Sequence, residues 1–270
     1  MNKICFVGGG NMASAMLAGL RKKHPVLDCH IIEPFAPARE KLAMLGVTVH
    51  EAANRAAVDG ADAVVLAVKP QVLKQVCAEL LPCLIDELIV SIAAGTRIST
   101  LTRWLNGHPR IVRTMPNTPA LIGQGITGLY APPALAAHDA ATATELMQST
   151  GVVVRVESEG MIDAVTAVSG SGPAYVFHFI ESMLAAAEGV GFNAADARTF
   201  VLATLKGATA LAEASDESPS VLRERVTSKG GTTAAALAVI NERGVQQALI
   251  DAVRAARDRG AELGEMLDAT

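Results

Sequence analysis

Aromatic side chains are scarce in this chain, at 3% of 270 residues, and alanine, valine and leucine dominate its apolar content. Small aliphatic side chains suit helix-on-sheet and helix-on-helix packing. Cysteine is limited to Cys5, Cys29, Cys77 and Cys83, with no C-x-x-C pair and no zinc-ligand spacing, so no metal site is expected. Cys5 and Cys29 fall in strand-like segments, where a small buried thiol explains them. Positive charge is not in excess either. The net charge is −4 and no basic cluster occurs, which argues against a nucleic-acid partner. No apolar run reaches the length of a bilayer span, and the N-terminus lacks the charged-then-apolar pattern of a signal peptide. The expectation is a soluble, cytoplasmic protein with neither nucleic acid nor membrane as partner. No low-complexity linker or internal repeat interrupts the chain, which is long enough for one large domain or two moderate ones.

What is present starts at once. Lys3-Ile4-Cys5-Phe6-Val7 is a short apolar strand running into Gly8-Gly9-Gly10-Asn11-Met12-Ala13, and an apolar helical stretch follows from Ala15 to Leu20. This is G-x-G-x-x-A between a strand and a helix. Gly8 and Gly10 permit a tight turn and close approach of a pyrophosphate, and Ala13 lets helix and strand pack closely. The helix start then offers free N–H groups and the positive end of its dipole. Glu33 closes the next strand, Cys29 to Ile32, about 20 residues on, where a ribose-binding acid belongs. The pattern predicts a dinucleotide site.

Periodicity divides the chain. Strands are predicted at 3–7, 29–33, 47–49, 63–68, 88–92 and from Ile111, with more at 125–130 and 152–156. Helices lie between them, near 12–22, 36–45, 71–80 and 134–149. Near-continuous apolar strands separated by helices mean a mainly parallel sheet covered on both faces. From about residue 161 no strand pattern remains, and helices are predicted at 174–190, 194–214, 219–227, 232–242 and 245–267. The fold expected is an α/β Rossmann-type N-terminal domain over 1–158 and an all-α domain over 159–270. The helical half is apolar on more than one face, as a segment packing against a second copy of itself would be.

Several strand ends should meet at the cofactor crevice: Val68-Lys69-Pro70, Ala93-Ala94-Gly95, and the segment from Arg113 to Ala120. Lys69 is either a phosphate or ribose ligand or a solvated residue before a helix. In the second half, Ser169 to Tyr175 introduces one helix and Thr227 to Thr233 another. The latter offers N–H groups and hydroxyls at a helix start, which suits a carboxylate as well as it suits ordinary helix capping.

With these stretches placed, the sequence resembles the pyrroline-5-carboxylate reductases over almost its whole length. The resemblance rests on VGGGNMA, LAVKPQ, SIAAGT, RTMPNTPA and VTAVSGSGPAYVF in that order, and above all on VTSKGGTTAAALAVIN from Val226 to Asn241. It implies reduction of the cyclic imine Δ1-pyrroline-5-carboxylate to L-proline with NADPH or NADH, the last step of proline biosynthesis. It also implies a helical dimerisation domain and a site shared between two subunits of a homodimer or higher oligomer. Residue by residue, Gly8, Gly10, Asn11 and Met12 match the pyrophosphate loop and Asn54 a ribose contact. Val68, Lys69 and Pro70, with Ala93, Ala94 and Gly95, match loops beside the nicotinamide, and Glu159 falls near the cofactor. Ser228, Gly231, Thr232 and Thr233 match the substrate loop, with the Thr233 hydroxyl near the ring nitrogen as the catalytic group.

Glu33-Pro34-Phe35 departs from the relatives that carry serine, arginine or asparagine after the second strand. A carboxylate accepts from a free 2′-hydroxyl and repels a 2′-phosphate; Arg39 could offset it, though in the following helix it reads rather as a surface residue. Hydride addition to a protonated imine needs positioning more than acid–base groups, so none of the six histidines is expected to be catalytic. Three alternatives compete, of which a structural oligomer using only the helical half sits poorly with the intact Rossmann features. A β-hydroxyacid dehydrogenase would carry a lysine on the helix from Ala174 to Val190, which has none. A non-catalytic dinucleotide sensor would have no use for the loop from Ser228 to Thr233.

Overall fold

The computed structural model describes residues 1–269. Its elements run β1 (Lys3–Val7), α1 (Asn11–Lys23), β2 (Asp28–Ile32), α2 (Ala36–Ala43), β3 (Thr48–His50), α3 (Arg55–Val58), β4 (Ala63–Leu66), α4 (Pro70–Leu80), β5 (Ile89–Ser91), α5 (Ile98–Trp104), β6 (Ile111–Met115), β7 (Gly125–Tyr130), α6 (Ala137–Met147) and β8 (Gly151–Arg155). Helices then take over: α7 (Met161–Val165), a π-helical turn over Thr166–Gly170, α8 (Gly172–Gly189), α9 (Ala194–Glu213), α10 (Pro219–Arg225), α11 (Thr232–Glu242) and α12 (Val245–Asp268). The eight strands form one sheet in the order β3-β2-β1-β4-β5-β6-β7-β8. Every neighbouring pair is parallel except β6 with β7.

Strand alternation sorts the core into two layers. Ile4, Phe6, Ile31, Val65 and Val90 face one way and pack with Met16, Leu17 and Leu20 of α1 and Leu146 and Met147 of α6. Cys5, Val7, Val64, Leu66 and Ile89 face the other way, onto Ala57, Leu73, Cys77, Leu80 and Leu101. Both sheet faces are therefore covered, which is why the strands read as continuous apolar runs. All four cysteines are free and buried, and burial pushes the Cys5 and Cys77 thiols up to about 12, leaving them unreactive.

The chain divides into two compact units: residues 1–173 with the end of α12 from Ala255, and Ala174–Arg254. The boundary expected after residue 158 lies where strand gives way to helix, and the first compact unit also takes in α7, which stays with the sheet. Asp163 pairs with Arg113 of β6, and a Cβ on Gly128 of β7 would meet Val165 at 2.6 Å. The short α3 and α5 and the π-helical turn lie outside the helices expected from periodicity, being too short to show a period.

The second unit is helical throughout. Among its described residues the buried apolar ones are Ala197 and Val201, and α8, α10 and α11 bury none.

Candidate active site

Chain order sends β2 and β3 to one side of β1 and β4 to the other, so a crevice opens where β1 and β4 end side by side. Gly8 turns there at φ +98°, and a Cβ on it would sit 2.8 Å from Val68 Cγ1 and 2.9 Å from the Ala67 carbonyl oxygen. Only glycine fits both the backbone and the space. Gly10 is the N-cap of α1, with no side chain capping the helix and nothing within 4 Å of where its Cβ would be. The first N–H groups of α1 are thus open to an anion. Asn11 is exposed at this start, and Met12 is half-buried against the core. A cleft of about 610 Å³ runs from Gly8 past Glu33, Glu51 and Ala53 to Val68 and Val72. An uncapped helix start, a glycine cradle and a carboxylate around one cleft fit a dinucleotide.

Glu33 lines this cleft with both oxygens anchored. Oε2 accepts from the Gly9 N–H at 2.9 Å and Oε1 from the Phe35 N–H at 2.9 Å. Arg39 reaches back from α2. Its Nη1 donates to the carbonyls of Glu33 at 3.1 Å and Pro34 at 2.6 Å, and its Nη2 to Glu51 Oε2 at 3.4 Å.

Asn54 caps α3, accepting from the Ala57 N–H at 3.0 Å, and its amide donates to the Ala52 carbonyl and to His50 Nδ1. An Nδ1 that accepts leaves the His50 proton on Nε2, which faces His30 Nδ1 at 2.9 Å; His30 Nε2 then donates to Asp28. Burial first, and His30 second, hold the His50 imidazole below its ordinary range, which suits this neutral relay. Both Asn54 amide hydrogens are used, so only the second lone pair of its Oδ1 is left for a ligand.

Lys69 is exposed at the N-cap of α4, with Pro70 in the first turn and Val68 half-buried. Ala93 and Gly95 are buried after β5, with Gly95 at φ +72° and Ala94 half-buried between them. The last turns of α12 back this loop: a Cβ on Gly264 would meet the Gly95 carbonyl oxygen at 3.2 Å. Asp268 holds the helix end down through Arg97 Nη1 at 2.6 Å and the Thr100 hydroxyl. Glu159 accepts from the Ile98 N–H at 2.7 Å and from Arg113 at 3.4 Å, so its carboxylate is committed to the start of α5. Arg113 itself is buried and pairs with Asp163 at 2.8 Å. Asn117 ties the segment after β6 to the π-helical turn, donating to the Ser169 carbonyl while accepting from the Ile126 N–H. Sequence pattern singles out these stretches but gives Asn117, Asp163 and Asp268 no role. An isolated arginine in an apolar strand is the one signal that a buried carboxylate must exist elsewhere.

In the second unit, Gly231 is the N-cap of α11 and no side chain caps the helix. Gly230 turns at φ +71°, and a Cβ on Gly231 would lie 2.4 Å from Ser228 Oγ. Ser228 and Thr232 are placed at this open start with Thr233, the serine and Thr232 exposed and Thr233 half-buried. None of these hydroxyls caps α11. The arrangement repeats α1: a glycine cap beside a glycine of positive φ, with N–H groups free for an anion.

Comparison with known proteins bears on both units. Residues 159–263 match the family model described as pyrroline-5-carboxylate reductase dimerisation, and residues 3–95 match that of NADP oxidoreductase, coenzyme F420-dependent. A pyrroline-5-carboxylate reductase of Pseudomonas aeruginosa is 44% identical over 269 residues, covering 98% of each chain. Among solved structures, the enzyme of that name from Coxiella burnetii superposes with a TM-score of 0.88 at 36% identity, over 96% of this chain and 97% of that one. A Plasmodium falciparum pyrroline carboxylate reductase with NADP bound superposes with a TM-score of 0.86 at 28% identity, over 97% and 98%.

Proposed function

The chain belongs to the pyrroline-5-carboxylate reductase family, and from that membership we propose how its own residues divide the work. It is an NAD(P)H-dependent oxidoreductase that reduces Δ1-pyrroline-5-carboxylate to L-proline, and it works as a homo-oligomer. Bound nicotinamide supplies the hydride. Gly8, Gly10, Asn11 and Met12 hold the pyrophosphate at the start of α1, and Glu33 and Asn54 orient the adenosine ribose. Val68-Lys69-Pro70 and Ala93-Ala94-Gly95 are walls against which the ring lies, and water is excluded there by small side chains rather than large ones.

Residues 159–270 form the dimerisation and substrate domain in this reading. The free N–H groups of α11, with Ser228, Gly231 and Thr232, hold the substrate carboxylate. Thr233 places its hydroxyl on the ring nitrogen, which becomes more basic as the imine turns to an amine. No acid–base pair is needed, because a protonated imine is already electrophilic and positioning supplies most of the acceleration. The observation that carries the reading is the pair of uncapped helix starts, α1 and α11, each built for an anion.

The cytoplasm is the compartment we assign. Four free cysteines suit a reducing environment, and among the described residues no helix is long and apolar enough to cross a membrane. Oxidation of NADH or NADPH on addition of pyrroline-5-carboxylate, with proline identified as product, tests the function. Substrate-independent cofactor binding without turnover would overturn it.

A further inference from the structure

We propose that this chain selects NADH over NADPH, and that Glu33, Glu51 and an immobilised Arg39 make the selection. The inference rests on the cofactor assignment above and adds the discrimination between two cofactors that differ by one phosphate.

Glu33 is not free to turn away from an incoming adenosine ribose. Its two oxygens are held by the Gly9 and Phe35 N–H groups, one of them in the pyrophosphate loop itself. A carboxylate oxygen that accepts one hydrogen bond has capacity for another, so a 2′-hydroxyl finds a fixed acceptor. A 2′-phosphate offers no donor there and meets a fixed negative charge. To admit it, Glu33 would have to leave two backbone hydrogen bonds.

A compensating cation is what an NADPH site needs, and Arg39 is the candidate beside this turn. Its guanidinium donates to two backbone carbonyls and to Glu51. Glu51 and Glu79 line the same cleft as Glu33, and among the described residues no lysine, arginine or histidine lines it. Arg39 thus balances one of three carboxylates and is spent on shaping the Glu33–Pro34 turn. A phosphate entering the cleft faces net negative charge, whereas a hydroxyl faces an acceptor.

Equilibrium titration of the full-length protein with NADH and with NADPH, followed by nicotinamide fluorescence, tests this without turnover. NADH is expected to bind at least about tenfold more tightly. Higher ionic strength should narrow the gap, because repulsion is screened while a hydrogen bond is not. Glu33→Ser should tighten NADPH about fivefold or more and weaken NADH. Glu33→Gln, which keeps the shape and removes the charge, should shift the ratio the same way if the serine variant folds poorly. Arg39→Ala should not weaken NADPH more than NADH. Equal affinities in the unaltered protein, an unchanged ratio in both Glu33 variants, or a loss confined to NADPH in Arg39→Ala would each overturn the proposal. Failure to bind either dinucleotide would instead overturn the cofactor assignment beneath it.

Discussion

The unit built on residues 1–173 hides Ile4, Phe6, Met16, Leu20 and Leu88 completely, whereas the unit over residues 174–254 leaves Phe177 at 59%, Phe200 at 58% and Leu249 at 54% exposure. Both are apolar, but only the first can close on itself. A sheet with helices on each side has two inward faces to fill, and its strands and helices fill them. Helices α8 to α11 have no sheet to cover, and their alanine-rich surfaces await a second copy. Burying what these three side chains leave exposed is worth about 3–5 kcal/mol gross, which links folding to association.

Charging the apolar face of the second unit should have the largest effect. The double variant Phe177→Asp/Phe179→Asp should sediment as a monomer and lose at least about a hundredfold in reductase activity, yet still bind NADH, because the nucleotide loops belong to the first unit. A dimeric, active variant would show that this face is not the one the partner covers.

The two open helix starts can be separated kinetically. Thr233→Ala should lower kcat about ten- to a hundredfold, since a hydrogen bond that strengthens on the way to the transition state acts on turnover. Thr233→Ser should retain most activity. Ser228→Ala and Thr232→Ala should mainly raise KM, because the carboxylate is bound equally before and during reaction. A drop in melting temperature with kcat intact in Thr233→Ala would reduce that residue to a structural one.

Packing in the first unit is tested at Gly19 of α1, where a Cβ would lie 1.9 Å from the Ser149 carbonyl oxygen. Gly19→Ala should cost about 3 kcal/mol, because backbone must move on both sides, and thermal or denaturant unfolding measures it. No comparable loss is expected for Gly207→Ala in α9, which has open space around it.

The smallest effect concerns Asp139, which is buried on α6 and bonded to Arg110 Nη2 at 2.6 Å. The Arg110 hydrogen bond holds its carboxyl below the ordinary carboxylate range against the opposing effect of burial. A depressed folded-state pKa contributes stability above the unfolded value of about 3.9 and loses it as pH falls through the folded value. Asp139→Asn should therefore lower stability at neutral pH by about 1–2 kcal/mol and flatten the acid limb below about pH 4, as read by melting temperature against pH.

Local pattern carried a great deal of this protein. A strand of small apolar residues, a glycine turn and a helix are dictated within about 20 residues of one another, so β1, the Gly8–Gly10 turn and α1 could be read directly, as could the switch to helices after β8. Such patterns report backbone period, which is a property of neighbours in sequence. What the tertiary structure decided lies between distant residues. Arg97 meets Asp268 across 171 positions and Arg113 meets Asp163 across 50, and neither pairing leaves a periodic trace. The same holds for Arg39. Its presence after Glu33 was plain in the sequence and left a 2′-phosphate site open, until the fold put its guanidinium on two carbonyls and Glu51. A residue's type sets what it can bond, and only the folded chain sets which of those bonds are already taken.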